Sequence, residues 1–268
     1  FPYSAINFYV YENMLDLKLR SPATSPLPIP PATPSPPMPR DLYYDRWSAS
    51  AHQQLIDCPY RFFASYTLAL RAPDDIIERM SHREYGEKAH LCLQAFHSQV
   101  DGMPAPFKSD ITAENRQQAK DHLMLLGTII FEPDSDADVR HLDWFRMWQD
   151  VVPMYVEWQE QWQKDWRVFE TEWSNTVDLT ARTKLTGKLD RLDQGARGQA
   201  IIDYKSGALS SRHQDMLNGE DVQLATYALL TSNPKRVAYL SLKAAEKKRL
   251  AELKDEAEPS QEMRDSQL

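Results

Sequence analysis

Cysteine is scarce in this chain of 268 residues, which has two, Cys58 and Cys92. They lie too far apart in sequence to suggest a disulfide framework, and no Cys-x-x-Cys pair is present to grip a structural metal. The chain therefore reads as one kept in a reducing cytoplasm. Glycine is also scarce, at 8 residues, and no Gly-x-x-x-x-Gly-Lys-[Ser/Thr] loop occurs, which excludes a P-loop nucleotide site from these residues. No apolar run approaches the roughly 20 residues of a membrane helix, so no membrane partner is expected. The first residues, Phe1-Pro2-Tyr3-Ser4-Ala5, lack the basic stretch of a secretory leader. With no Met at the start, the sequence is read as a segment of a longer protein. Positive charge is outnumbered, since 31 Lys and Arg face 39 Asp and Glu for a formal net charge of -8. That argues against a protein that holds polyanions by bulk charge, but leaves room for an acidic site beside a local basic groove. Apolar residues are plentiful: 42% hydrophobic and 10% aromatic, enough for one large domain or two small ones.

The most informative stretch is Leu189-Asp190-Arg191-Leu192-Asp193, followed after Gln194–Gln199 by Ala200-Ile201-Ile202-Asp203-Tyr204-Lys205. Two apolar runs around a Gly-bearing turn predict a β-hairpin. A turn centred between Ala196 and Arg197 sets Asp190 opposite Asp203, and Lys205 projects from the same face as Asp203. Two carboxylates at cross-strand distance repel unless a cation lies between them. A hard divalent cation such as Mg²⁺ suits such an oxygen pair, and a neighbouring lysine can position a water. The pattern points to metal-assisted hydrolysis of a phosphodiester. The competing reading is a solvated hairpin with Asp190–Lys188 and Asp203–Lys205 surface pairs. Against it, Asp203 ends a run that reads as a buried strand.

Along the chain, residues 1–20 have no clear structure and 21–40 are Pro-dense, a polyproline linker. From 41 to 268 the pattern is that of one domain. Ser50-Ala51-His52-Gln53 suggests a capped helix that breaks near Pro59 and resumes through Phe63. Further helices are predicted over 83–100, 113–130 and 139–166, the last interrupted or kinked at Pro153. Five of the seven tryptophans lie in this last segment (Trp144, Trp148, Trp158, Trp162 and Trp166), as core packing or as a platform for stacking bases, with packing favoured. Strands are expected at 168–177, 183–193, 199–205 and 237–242, a helix at 219–230, and a charged loop or frayed helix from Ala244. The fold class is α/β, a mixed central sheet flanked by helices with a largely helical N-terminal region.

Other residues could join the hairpin. His90 follows Gly86 by one helical turn and could ligate a metal, with His97 at most in a supporting place. Gln223 and Tyr227 share a helix face and could hold phosphate, sugar or base. Glu170 or Glu172 could complete an acidic cluster, or both could face solvent.

Taken in order, Gly86-x-x-x-His90, Gly187-x-x-Asp190, Asp203-x-Lys205 and Gln223-x-x-x-Tyr227 resemble the PD-(D/E)XK nuclease superfamily. More narrowly they are similar to the RecB-type nuclease domain at the C-terminus of AddB-like recombination subunits. Leu55–Phe63 resembles the entry helix of those domains, and Tyr85–His97 the next one. The resemblance implies a restriction-endonuclease-like fold. It implies a metal-dependent deoxyribonuclease, an exonuclease module in a helicase–nuclease system for DNA recombination or repair. Mg²⁺ or Mn²⁺ would be bound by His90, Asp190, Asp203 and the Tyr204 carbonyl, with Lys205 acting on the attacking water. Gln223 and Tyr227 would hold the DNA, expected to be single-stranded and supplied by a helicase partner. Arg61 and Arg191 would be phosphate or structural contacts. The alternatives are a catalytically silent DNA-binding scaffold and a stand-alone endonuclease. Many AddB-like domains carry an iron–sulphur cluster. Cys58 matches its first ligand, and the cluster is expected only if the parent protein has further C-terminal cysteines.

Overall fold

The computed structural model describes residues 39–71, 81–135, 141–207, 209, 212–232, 234–243 and 250–254. The chain divides at Pro39/Arg40 into two units, and the sheet and its flanking helices lie in the second, Arg40–Leu268. The readings of 1–20 and of the linker lie outside the described residues.

Capping sets where the helices start. Helix α1 (Ala49–Asp57) begins at Ser48, whose Oγ accepts from the Ala51 N–H at 3.1 Å. The cap thus falls two residues before the expected Ser50, because Ser48 is the residue with extended backbone. Cys58 ends α1, and Pro59 opens α2 (Pro59–Phe62), where its missing N–H is no loss. Helix α3 (His82–His97) carries a full capping box between Ser81 and Glu84. Helices α4 (Arg116–Ser135) and α5 (His141–Trp162) follow, and α5 is not interrupted at Pro153. A Cβ on Gly127 of α4 would meet Trp148 Nε1 at 2.3 Å, so the absent side chain lets α5 close on α4.

The six-stranded mixed sheet contains β1 (Arg46–Trp47), β2 (Trp166–Asp178), β3 (Lys184–Gly195), β4 (Gly198–Lys205), β5 (Pro234–Ser241) and β6 (Leu250–Lys254). β3 is antiparallel to β2 along one edge, while its other edge is shared by β1, parallel at Lys184–Leu185, and β4, antiparallel from Arg191 onward. β4 pairs parallel with β5, and β5 antiparallel with β6. The hairpin has the expected register, with Gly195 opposite Gly198 and Arg191 opposite Ile202. Strand β6 corrects the loop or frayed helix expected from Ala244: the open edge of β5 supplies hydrogen-bond partners, and Arg236 pairs with Glu252. Between β4 and β5 lie α6 (Arg212–Leu217), unforeseen, and α7 (Gln223–Ala228). The latter starts later than predicted, after a turn with positive φ at Gly219.

Two cores sandwich the sheet. One packs α3, α4 and α5 against Ala200, Ile202, Tyr204, Ala238 and Leu240; the other packs Met216 and Leu224 against Leu185, Leu189, Ile201 and Tyr239. Trp148 and Trp162 are buried in the first, and Trp158 stacks on Trp162 at 5.1 Å, so the tryptophan stripe is core.

At one step β2 and β3 turn over together. Thr171 and Arg191 are paired and face the three-helix layer, where they bond Ser98 and Tyr155. Trp173 and Leu189, paired two residues on, belong to the other core. The residues between them are Glu172, with φ 53°, and Asp190. Next to this step Arg191 is fully buried and grips the buried Asp193 with two hydrogen bonds, 2.7 and 2.6 Å. Its remaining donors reach Gln159 at 2.7 Å and Tyr155 at 3.0 Å, and Trp162 Nε1 donates to Asp193 at 2.6 Å.

Removing one side of a buried ion pair strands the other charge, at about 3–5 kcal/mol. Arg191→Met should therefore lower Tm on the order of 10 °C, since 1 kcal/mol is worth about 2–4 °C in a domain of this size. The double variant Arg191→Met/Asp193→Leu should recover most of that loss in thermal unfolding followed by circular dichroism. A single variant melting within 2 °C of wild type would show that the pair holds nothing together.

Candidate active site

The site forms where β3 and β4 part. Their ladder ends at Arg191–Ile202, and one step further the carboxylates of Asp190 and Asp203 stand beside each other at the fork. The backbone N–H of Tyr204 donates to Asp190 Oδ2 at 2.8 Å, so a side chain holds the strands where the backbone pairing stops. Lys205 projects with Asp203, as strand alternation requires, and its Nζ lies 2.6 Å from Asp203 Oδ2. Lys205 Nζ also donates to Gln223 Oε1 at 2.9 Å, and Gln223 Nε2 donates to Asp203 Oδ1 at 3.0 Å. Asp203 Oδ2 is buried and has the Lys205 ammonium as its partner.

His90 is aimed at this fork by α3. Its Nε2 lies 3.1 Å from the Tyr204 carbonyl and its Nδ1 3.4 Å from Asp190 Oδ1. An Nε2–H donated to that carbonyl leaves Nδ1 as the nitrogen that faces the carboxylates. Burial lowers the His90 pKa, but the hydrogen bond and charge of Asp190, helped by Asp203 and Glu172, outweigh it and leave the pKa raised. Gly86 is not needed for close approach here, because a Cβ would meet Ser206 Oγ at an ordinary 3.5 Å.

Glu172 completes the cluster, and Glu170 does not. Ligand atoms of His90, Glu172 and Asp190 lie within 4.8 Å of one another, near the ~4.2 Å span of opposed ligands about one Mg²⁺. Glu170 is exposed. Lys188 pairs with Glu172 at 2.5 Å. Burial and the charge of Asp190 raise the Asp203 pKa to about 6, against the pull of Lys205. The imidazole of His90 and the carboxylates of Glu172 and Asp190 form a set that fits a hard divalent cation, and Asp203 stands next to Asp190, outside that 4.8 Å group.

The structure thus brings together Asp190, Asp203, Lys205, His90 and the Tyr204 backbone, with Gln223 inside the same network. Tyr227 reaches it through Gln223 Nε2, which donates to its hydroxyl at 2.9 Å. Gln223 is engaged on all sides by protein partners. Arg191 lies in the buried network under the sheet and His97 stands half-buried beside it, its pKa held well below the ordinary value by desolvation and by Arg191. Sequence reasoning gave no place to Tyr239, whose hydroxyl donates to Asp221 at 2.6 Å and whose ring lies 4.8 Å from Lys205 Nζ. Its only signal was its place in a predicted strand.

Comparison with known proteins accords with this geometry. Among the described residues no helix is long and apolar enough to cross a membrane. No curated protein matches the chain. The sheet and its flanking helices form the restriction-endonuclease-like α/β fold, and a family model described as the PD-(D/E)XK nuclease superfamily matches residues 46–267. With most of its length covered by that match, the chain belongs to the PD-(D/E)XK nuclease superfamily.

Proposed function

We propose that this domain hydrolyses phosphodiester bonds of DNA with the help of Mg²⁺ or Mn²⁺. The observation that carries the reading is the fork itself, where Lys205 Nζ sits 2.6 Å from Asp203 with Asp190 alongside. His90 and Asp190 would hold the cation with Glu172, which the structure groups with them, and Asp203 would reach it from beside Asp190. When bound, such a cation polarises the phosphate and acidifies water. The chain supplies the rest. Lys205, fixed between Asp203 and Gln223, directs a water to phosphorus and offers its ammonium to the charge that builds on the phosphate oxygens. A P–O bond to that water forms as the ester P–O bond breaks. Gln223 fixes Lys205 and Asp203, and Tyr227 beside it meets the strand.

The narrower reading, an exonuclease module that takes single strands from a helicase partner, rests on the likeness of the Leu55–Phe63 and Tyr85–His97 stretches to RecB-type domains of AddB-like subunits. An iron–sulphur cluster enters that reading only through Cys58 and cysteines elsewhere in a parent protein.

Linear single-stranded DNA incubated with the protein and Mn²⁺ should be cut, and EDTA should stop the reaction. Lys205→Ala should lower the rate at least about 10²-fold, the scale of a lost transition-state charge contact. A wild type that is folded, shifts on Mn²⁺ and leaves every DNA intact would sink the proposal. Mn²⁺ should also raise Tm, because a ligand at 100 times its Kd adds about 2.7 kcal/mol to the folded state. Asp203→Ala should abolish cutting and the Mn²⁺ shift while leaving the metal-free Tm within a few degrees, because it relieves repulsion from Asp190. A collapse in Tm with activity kept in the folded fraction would make Asp203 structural.

A further inference from the structure

A cleft of about 1040 Å³ adjoins the fork through Gln223, and Lys188 and Tyr227 also line it. Helices α1 and α2 contribute Gln54 and Arg61 to the lining, and α6 contributes Arg212. Small-molecule sites are mostly apolar and reach about 1,000 Å³ at the upper end. This cleft has a largely polar lining, which suits a longer polar ligand.

Charge decides how that ligand is held. The lining contains three cations, Arg61, Lys188 and Arg212, and four carboxylates, Asp57, Asp215, Glu220 and Asp221. Lys188 is tied to Glu172 at 2.5 Å and Arg212 to Asp221 at 2.9 Å. Arg61 is exposed and, among the described residues, has no ion pair or hydrogen bond. Its guanidinium is thus the cleft's uncommitted phosphate fork. Gln54 Nε2 donates to Ser65 Oγ at 3.3 Å, which leaves its Oε1 for a base edge, and Tyr227 adds an aromatic ring to the lining, groups of the kind that contact unpaired bases.

We propose that the cleft holds the single-stranded DNA adjoining the scissile phosphate and that Arg61 is its phosphate anchor. This rests on the nuclease reading of the fork and adds a path and a gripping residue to it. With the other two cations already paired, the grip is local and binding depends weakly on salt, at about -0.7 in log K against log salt for each phosphate contact on a single strand.

The test is fluorescence anisotropy of a labelled oligothymidylate 20-mer in EDTA over a salt series, with cutting in Mn²⁺ measured separately. Arg61→Ala should weaken binding about five- to tenfold, flatten the salt slope by about 0.7, and leave Tm unchanged. Arg61→Lys should restore part of the affinity, and Arg61→Glu should bind more weakly than Arg61→Ala. Wild type that cuts, with Arg61→Ala binding at equal strength and slope, would overturn the anchor and leave the nuclease reading standing. Preference for a hairpin duplex over the single strand would overturn the assigned ligand. Wild type that neither binds nor cuts would remove both readings.

Discussion

The carboxylates of Glu172, Asp190 and Asp203 repel one another in partly buried surroundings, and the polar groups around the fork offset that repulsion. Lys205 and Lys188 supply charge, to Asp203 and Glu172 respectively. His90 supplies an imidazole whose charged form those carboxylates favour. The Tyr204 N–H and the Gln223 amide fix Asp190 and Asp203 by hydrogen bonds. Burial first, and the charge of Asp190 second, still raise the pKa of Asp203 against the pull of Lys205. A site that leaves part of its repulsion standing is one to which a divalent cation binds favourably.

A second polar centre lies on the other side of the hairpin, and Tyr204 couples the two. Its backbone reaches Asp190 and His90, while its hydroxyl lies 3.1 Å from that of Tyr155. Tyr155 in turn accepts from Arg191 and lies 2.6 Å from His97. The site's backbone is therefore held from below by groups that never meet its chemistry. A buried network of this kind rigidifies only while each member keeps its partners.

Much of this could be read from the chain. The hairpin register followed from the turn, and with it the proximity of Asp190, Asp203 and Lys205, because a strand alternates and a tight turn fixes pairing. Glu172 could not be told from Glu170 by sequence, since alternation fails where β2 and β3 turn over. The place of Gln223, locked between Lys205 and Asp203, needed the packing of α7 on the sheet. The Arg191 network was hidden because a strand arginine usually faces water, and its burial is made tolerable by Asp193 together with the tyrosine, glutamine and tryptophan of α5. Strand β6 was missed because its hydrogen bonds depend on the edge of β5 and leave no trace in its own charged sequence.

The irregularity at Glu172 has an effect beyond the acidic cluster. Among the described residues β2 pairs only with β3, so its 13 residues form an edge strand long enough to template another chain. A register shift between Val168 and Glu170 and the left-handed backbone at Glu172 bend that edge where a neighbouring strand would need it straight. The distortion that brings a carboxylate inward thus also protects the sheet against edge-to-edge aggregation. Straightening β2 to improve its pairing would draw Glu172 away from His90 and Asp190 and open the edge to a neighbouring strand.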